Sequence, residues 1–263
     1  MKSNLNNLNI EKVNAPYPIA FINNFLTSDK CNELFKEISA FKGYDDVVMN
    51  GRHRVNKGSK KFREYLNKFE HLDSFYKEFN TPEIFKLMKE KLDEVKKANS
   101  WQPELNELQY SNDNFGEQDF NLIKYLRKSW PITKFFKQTI NLDIDFSKSK
   151  KGYYRKAHRD RDTRIISFLL YLNTIDKELG GEFEIYKFKN NNKKLNDLKR
   201  FPEENEVNLI DKFSPKSGQL FFFLSTPDSY HGVSKFLSED TDRVFIYGSY
   251  SLDRKVVWKF NDK

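Results

Sequence analysis

The chain predicts an α+β fold, with a helical N-terminal half packed on a β-rich C-terminal half that closes as a sandwich or barrel. Two observations carry this prediction. Before about residue 143, apolar residues recur at helical spacing behind helix-start chemistry. From about Ile144 the pattern changes to short strand-like runs separated by turns. No Pro/Gly/Ser-rich linker divides the halves, so residues 1–263 read as a single domain, with 1–143 as mainly helical support and 144–255 as the β core.

The elements follow in chain order. Residues 1–15 form a polar lead-in, and Pro16-Tyr17-Pro18 opens a short apolar strand at Ile19–Ile22. Thr27-Ser28-Asp29 is a cap followed by an acidic first turn, and Cys31, Leu34, Phe35, Ile38 and Phe41 fall on one helix face. The stretch from Val47 to Lys61 is basic and irregular; its trio Arg52-His53-Arg54 reads as a solvated loop or as part of a substrate mouth. Thr81-Pro82-Glu83 starts a second helix with proline at its first position, and Ile84, Leu87, Met88, Leu92 and Val95 form its apolar face. Weaker helical stretches run from Gln118 to Lys128 and from Pro131 to Thr139. The strand-like runs are Tyr153–His158, Ile165–Leu172, Glu182–Phe188, Gly218–Leu224 and Val244–Tyr250.

Composition narrows the function classes. The formal charge is +8, yet 46 basic residues are interleaved with 38 acidic ones, so the charge reads as a solvated surface and nucleic-acid binding is disfavoured. Two basic clusters are local: Lys148–Lys151 with Arg155 and Lys156, and Lys187–Arg200, an expected insertion with Asn190-Asn-Asn192 at its tip. The single cysteine, Cys31, excludes a disulfide within the chain and fits a reducing compartment. No apolar run approaches a membrane span, and the polar start lacks a signal-peptide core, so the expected location is cytoplasmic.

The chemistry-bearing residues lie in the β-rich half. His158 and Asp160 are two apart, so on a strand they project from the same face. With His231 they supply two imidazoles and one carboxylate, the ligand set of a non-heme iron(II) oxygenase site with open positions. By itself His-x-Asp is short, and an exposed strand histidine among charges is its alternative reading. Arg243 opens the next strand and offers a planar two-pronged donor for the far carboxylate of a 2-oxoacid, or else is a surface arginine beside the acidic turn Glu239-Asp240. Tyr154, four before His158, is expected to share its inward face as a pocket residue, or else is a core or rim tyrosine.

The ordered set His158-Arg-Asp160, Tyr171-Leu-Asn173, Gly180-Gly-Glu182, Pro215-Lys-Ser-Gly218, His231-Gly-Val233 and Arg243 resembles the iron(II)/2-oxoglutarate-dependent oxygenase superfamily, in particular its prolyl-4-hydroxylase-like branch. The resemblance covers Lys151 to Leu252. It implies a double-stranded β-helix (jelly roll, cupin-like) core, with Fe(II), 2-oxoglutarate and O2 as cofactor and cosubstrates and ascorbate as a candidate auxiliary reductant. It implies His158, Asp160 and His231 as iron ligands, Arg243 and Tyr171 as partners of the cosubstrate's distal carboxylate, and Tyr154 as a further pocket residue. Two departures stand out: the His231-to-Arg243 spacing is long, so Ser234–Asp242 must bulge, and Phe245 replaces a small hydroxyl residue. Related halogenases carry a small residue at the position of Asp160.

The implied reaction is oxidation, foremost hydroxylation, of an unactivated C–H bond in a small-molecule or peptide amino-acid-like substrate, with release of succinate and CO2. Oxidative cyclisation or desaturation, nucleic-acid demethylation and a non-catalytic jelly-roll binding module are the alternatives. Demethylases of nucleic acid carry a second arginine soon after the first on the same strand, and here the next is Arg254.

Overall fold

The computed structural model describes residues 10–13, 15–48, 51–96, 100–105, 108–110, 138–189 and 198–261. The first part of the chain forms β1 (Glu11–Lys12), β2 (Ile19–Ile22), α1 (Ser28–Ser39), β3 (Asp46–Val48), β4 (Arg52–Asn56), α2 (Lys60–Lys68), α3 (Glu70–Phe79) and α4 (Pro82–Val95). Then come β5 (Trp101–Pro103), β6 (Leu108–Tyr110), β7 (Gln138–Ser149), β8 (Arg155–His158), β9 (Arg164–Tyr171) and β10 (Phe183–Phe188). The chain closes with β11 (Val207–Phe213), β12 (Leu220–Leu224), β13 (His231–Val233), β14 (Arg243–Leu252) and β15 (Trp258–Phe260).

Pairing is antiparallel except between β6 and β7. A nine-stranded sheet runs β1-β2-β12-β9-β14-β7-β4-β3, with β6 alongside β7; a four-stranded sheet runs β11-β10-β13-β8. Strand alternation gives the large sheet two different faces. Ile166, Phe168 and Leu170 of β9 and Val244 and Ile246 of β14 pack against Leu34 and Ile38 of α1, Phe79 of α3 and Met88 of α4. The opposite face presents Leu169, Tyr171, Phe221, Phe223 and Phe245, which bury against Phe183 and Ile185 of the small sheet. The functional site lies on this second face.

The two sequence-predicted helices are α1 and α4. Thr27 caps α1, its hydroxyl accepting the Lys30 N–H at 3.4 Å, and Pro82 occupies the first turn of α4. α2 and α3 are additional. α2 buries only Phe62, so its periodicity is faint, although Ser59 caps it by accepting the Phe62 N–H at 3.0 Å. β7 begins at Gln138, so the end of the helical stretch expected over Pro131–Thr139 is strand; the rest of it and Gln118–Lys128 lie outside the described residues, as does the Asn190-Asn-Asn192 tip. The division at residue 143/144 falls inside β7.

The basic stretch Val47–Lys61 is not irregular. It contributes β3, β4 and the start of α2, because β4 pairs with β7 in the register Arg52↔Ser149 to Asn56↔Asp145. Among the described residues no helix is long and apolar enough to cross a membrane.

Candidate active site

His158 ends β8 and His231 begins β13, and the two are direct partners across that antiparallel pair. Their ring centroids lie 4.3 Å apart. His158 Nδ1 sits 2.9 Å from the Lys156 carbonyl, and His231 Nδ1 sits 2.9 Å from the Ser229 carbonyl. A carbonyl only accepts, so both rings carry their proton on Nδ1 and present the Nε2 lone pair as acceptor. That of His158 accepts from Arg155 Nε at 2.7 Å, a donor that a metal ion bound there would displace. Asp160 follows two residues after His158, and its Oδ2 lies 3.9 Å from His231 Nε2. One ligand atom from each of these three buried residues lies within 4.8 Å of the others, a grouping able to hold a metal ion.

Asp160 is held from several sides. Ser167 Oγ donates to Oδ2 at 2.5 Å and Arg164 Nη1 to Oδ1 at 2.5 Å. The Tyr247 hydroxyl, which also accepts from Arg164, donates to Oδ1 at 3.4 Å. Burial alone would raise the carboxyl pKa, but Arg164, the two imidazoles and the Ser167 hydroxyl outweigh it and hold Asp160 well below the usual carboxylate range. Burial lowers both histidines, His158 further because His231 and Arg155 add like charge. The protonation state is therefore carboxylate plus two neutral imidazoles, which is the state a divalent metal needs.

Arg243, the first residue of β14, is completely buried. Its guanidinium lies 4.3 Å from the Phe245 ring centroid and 5.1 Å from that of Tyr171, and Nη2 donates to the Tyr171 hydroxyl at 3.5 Å. Nε and Nη1 have no hydrogen-bond partner among the described residues. A sealed guanidinium with two idle donors is costly unless an anion completes it. Such a donor set fits the distal carboxylate of 2-oxoglutarate, just as the triad fits Fe(II). Gly181 makes room for it: at φ +71, a Cβ there would lie 3.0 Å from Arg243 Cδ and 3.1 Å from Phe236. Phe245, the replacement for a small hydroxyl, serves as an aromatic floor under this guanidinium.

The long loop Ser234–Asp242 is irregular, as its length requires, but it is anchored. Phe236 is buried, its N–H donates to the Tyr153 carbonyl at 2.8 Å, and the Leu237 N–H donates to the Leu179 carbonyl at 2.8 Å.

The triad opens on a cavity of about 280 Å³ walled by Leu169, Phe183, Val233 and Phe245. Arg52, Arg54, Arg155, Arg161, Arg164 and Arg200 line the same space. Of the Arg52-His53-Arg54 trio, both arginines face the cavity, whereas His53 points away and packs edge-on to Tyr44 at 5.0 Å. The solvated-loop reading of the trio is thus corrected by β4 alternation. Tyr154 is corrected as well: β8 starts only at Arg155, so strand alternation does not reach back to it, and Tyr154 is 37% exposed while Tyr153 lines the cavity. Ser167, Arg164 and Tyr247 were not singled out from sequence. Ser167 and Tyr247 lie at even spacing from Tyr171 and Arg243 on their strands, and that was the available signal.

Residues 144–250 match the family model described as the 2OG-Fe(II) oxygenase superfamily. No curated protein sequence matches the chain. Among solved structures, the chain is similar to a Pseudomonas putida prolyl-4-hydroxylase (14% identity, 90% of this chain and 93% of that one, TM-score 0.42). It is also similar to a prolyl 4-hydroxylase of Phytophthora capsici (13% identity, 89% of this chain and 59% of that one, TM-score 0.51). A third is the non-heme α-ketoglutarate-dependent epimerase SnoN of nogalamycin biosynthesis (11% identity, 93% and 79% coverage, TM-score 0.51). The matched span contains the metal-ligand cluster and Arg243; it belongs to the 2OG-Fe(II) oxygenase superfamily, and the protein is an oxidoreductase of the dioxygenase class that uses Fe(II), 2-oxoglutarate and O2.

Proposed function

We propose that this protein hydroxylates an unactivated C–H bond of an amino-acid-like substrate, free or in a peptide, releasing succinate and CO2. The two facing sheets are read as the double-stranded β-helix core, and His158, Asp160 and His231 as the facial set of iron ligands. The observation that carries the reading is the coincidence of this buried ligand cluster with a sealed arginine whose Nε and Nη1 are unpartnered.

Bound iron, with 2-oxoglutarate and O2, supplies the oxidising power that breaks the C–H bond. The chain's own residues do the rest. The carbonyls of Lys156 and Ser229 orient the imidazoles, and Ser167 and Arg164 stop the Asp160 carboxylate from rotating. Arg243 and Tyr171 grip the far carboxylate of the cosubstrate and so fix its orientation. Leu169, Phe183 and Phe245 give the cavity an apolar wall that keeps water from the reacting carbon. A carboxylate at position 160, in place of the small residue of related halogenases, favours hydroxylation, desaturation or cyclisation over halogenation.

Anaerobic addition of Fe(II) and 2-oxoglutarate tests the site. A weak visible charge-transfer band is expected for the native protein and not for His158→Ala. Substrate-dependent succinate release with panels of amino acids and peptides then tests the reaction; a band without any stimulated succinate would overturn the substrate class.

A further inference from the structure

The cavity wall carries more positive charge than the metal site and the cosubstrate use. Arg52 is paired with Asp145 at 3.1 Å, Arg54 with Asp46 at 2.6 Å and Arg164 with Asp160 at 2.5 Å. Fe(II) and the 2-oxoglutarate dianion cancel one another, and the cosubstrate's far carboxylate is provided for by Arg243, which does not line this cavity. Arg155 is engaged by His158, to whose Nε2 it donates from Nε at 2.7 Å. Arg161 and Arg200 remain, and among the described residues neither is ion-paired with a carboxylate.

Their position is built into the fold. The Arg159 N–H donates to the Arg200 carbonyl at 3.0 Å, and Arg200 Nε donates back to the Arg159 carbonyl at 3.4 Å. This exchange moors the segment beginning at Leu198 beside His158–Asp160, so a residue some forty positions away in sequence sits at the triad. Phe201 comes with it. Its ring is 57% exposed yet lies nearly parallel to His158, at 16° and 6.3 Å, while the Arg200 guanidinium sits 4.9 Å from its centroid. Burial, then the like charge of Arg161, pushes the Arg200 guanidinium below its ordinary pKa, so the two cations already repel one another. An exposed phenyl ring and two guanidiniums lining one mouth offer a fit for an anion attached to a carbon skeleton.

We propose that the substrate is a free carboxylic acid, its carboxylate held by Arg161 and Arg200 and its carbon chain laid against Phe201. This deepens, and rests on, the oxygenase reading above. It selects a free amino-acid-like acid over a residue inside a peptide, where the carboxylate has become an amide. A cavity of about 280 Å³ suits a small acid.

The test uses the full chain loaded with Fe(II) and 2-oxoglutarate. Succinate release is measured with a mixture of free amino acids, N-acetyl amino acids and short mono- and dicarboxylic acids, with the same compounds as primary amides, with end-blocked peptides and with a single-stranded oligonucleotide. The expected result is stimulation by an acid and none by its amide. The double variant Arg161→Gln/Arg200→Gln should raise the KM for that acid on the order of 10- to 100-fold, as loss of charge-assisted hydrogen bonds does, with an unchanged melting temperature. Equal turnover of acid and amide, preference for blocked peptides or the oligonucleotide, or silence of every acid while the Fe(II)–2-oxoglutarate band is present would each overturn the inference. Absence of that band would instead defeat the oxygenase reading itself.

Discussion

His158 and His231 are cross-strand partners: one ends β8, the other begins β13, and their rings meet at 4.3 Å, with Nδ1 of His158 tied to the Lys156 carbonyl within β8 and Nδ1 of His231 to the Ser229 carbonyl just before β13. A register slip of one residue between β8 and β13 would turn one imidazole to the opposite face. The pairing of the small sheet therefore decides whether a metal-ligand cluster exists at all.

Arg243→Met should separate cosubstrate binding from folding. Arg243 is fully buried with Nε and Nη1 unpartnered, so a flexible apolar side chain of similar length removes an uncompensated charge. The melting temperature should hold or rise, while the KM for 2-oxoglutarate should rise by roughly 10²-fold, given ~1.5–3 kcal/mol per charged hydrogen bond lost. Thermal melts and titration of the charge-transfer band measure the two effects.

Gly180→Ala should be strongly destabilising. Gly180 has φ +68, and an added Cβ would sit 2.1 Å from the Lys235 carbonyl oxygen, so the loop over Arg243 must move. A loss of about 2 kcal/mol or more is expected, from the ~1–3 kcal/mol of such backbone strain plus the clash. Gly181→Ala should be milder in denaturant melts but should weaken 2-oxoglutarate binding, because its Cβ presses on Arg243.

Ser167→Ala removes the hydroxyl that holds Asp160 Oδ2 at 2.5 Å and also meets Ser225 at 2.9 Å. Fe(II) affinity should fall about 10- to 100-fold, the usual cost of losing a group that orients a metal ligand. Ser167→Thr, which keeps the hydroxyl, should recover most of it. Metal titration with a competing chelator gives the comparison.

The metal-free protein should lose stability as the pH falls below about 6.5, the ordinary histidine value. Burial depresses both His158 and His231 in the folded state, so between 6.5 and their folded values the unfolded chain binds more protons. Their contribution is complete above that window and declines within it as the pH drops. Melting temperature against pH should therefore slope downward below 6.5, and a His158→Gln/His231→Gln variant should show a shallower slope.

Much of this was visible in particular residues. Thr27 and Pro82 mark helix starts because capping is local chemistry. The β-rich half is readable from Phe221–Phe223 and Ile165–Leu172 because burial leaves long apolar runs. Ser167 and Tyr247 carry no such signal, Arg52 reads only as part of a basic trio, and Arg200 only as the end of an expected insertion. Each reaches the site through pairing with a strand or segment far away in sequence, and no local periodicity records such a pairing. Tyr154 misled for the converse reason, since alternation was extended past the end of a strand that begins at Arg155.

The sequence by itself determined the chemistry: which donors exist, that His158 and Asp160 are two apart, and that Arg243 opens a strand. Only the tertiary structure decided that His231 lies opposite His158, that Arg164 and Ser167 lock Asp160, and that Arg161 and Arg200 share one mouth with Phe201. Spacing within a strand follows from backbone geometry alone. Register between strands follows from the burial of two whole faces at once, and that sum exists only in the folded chain.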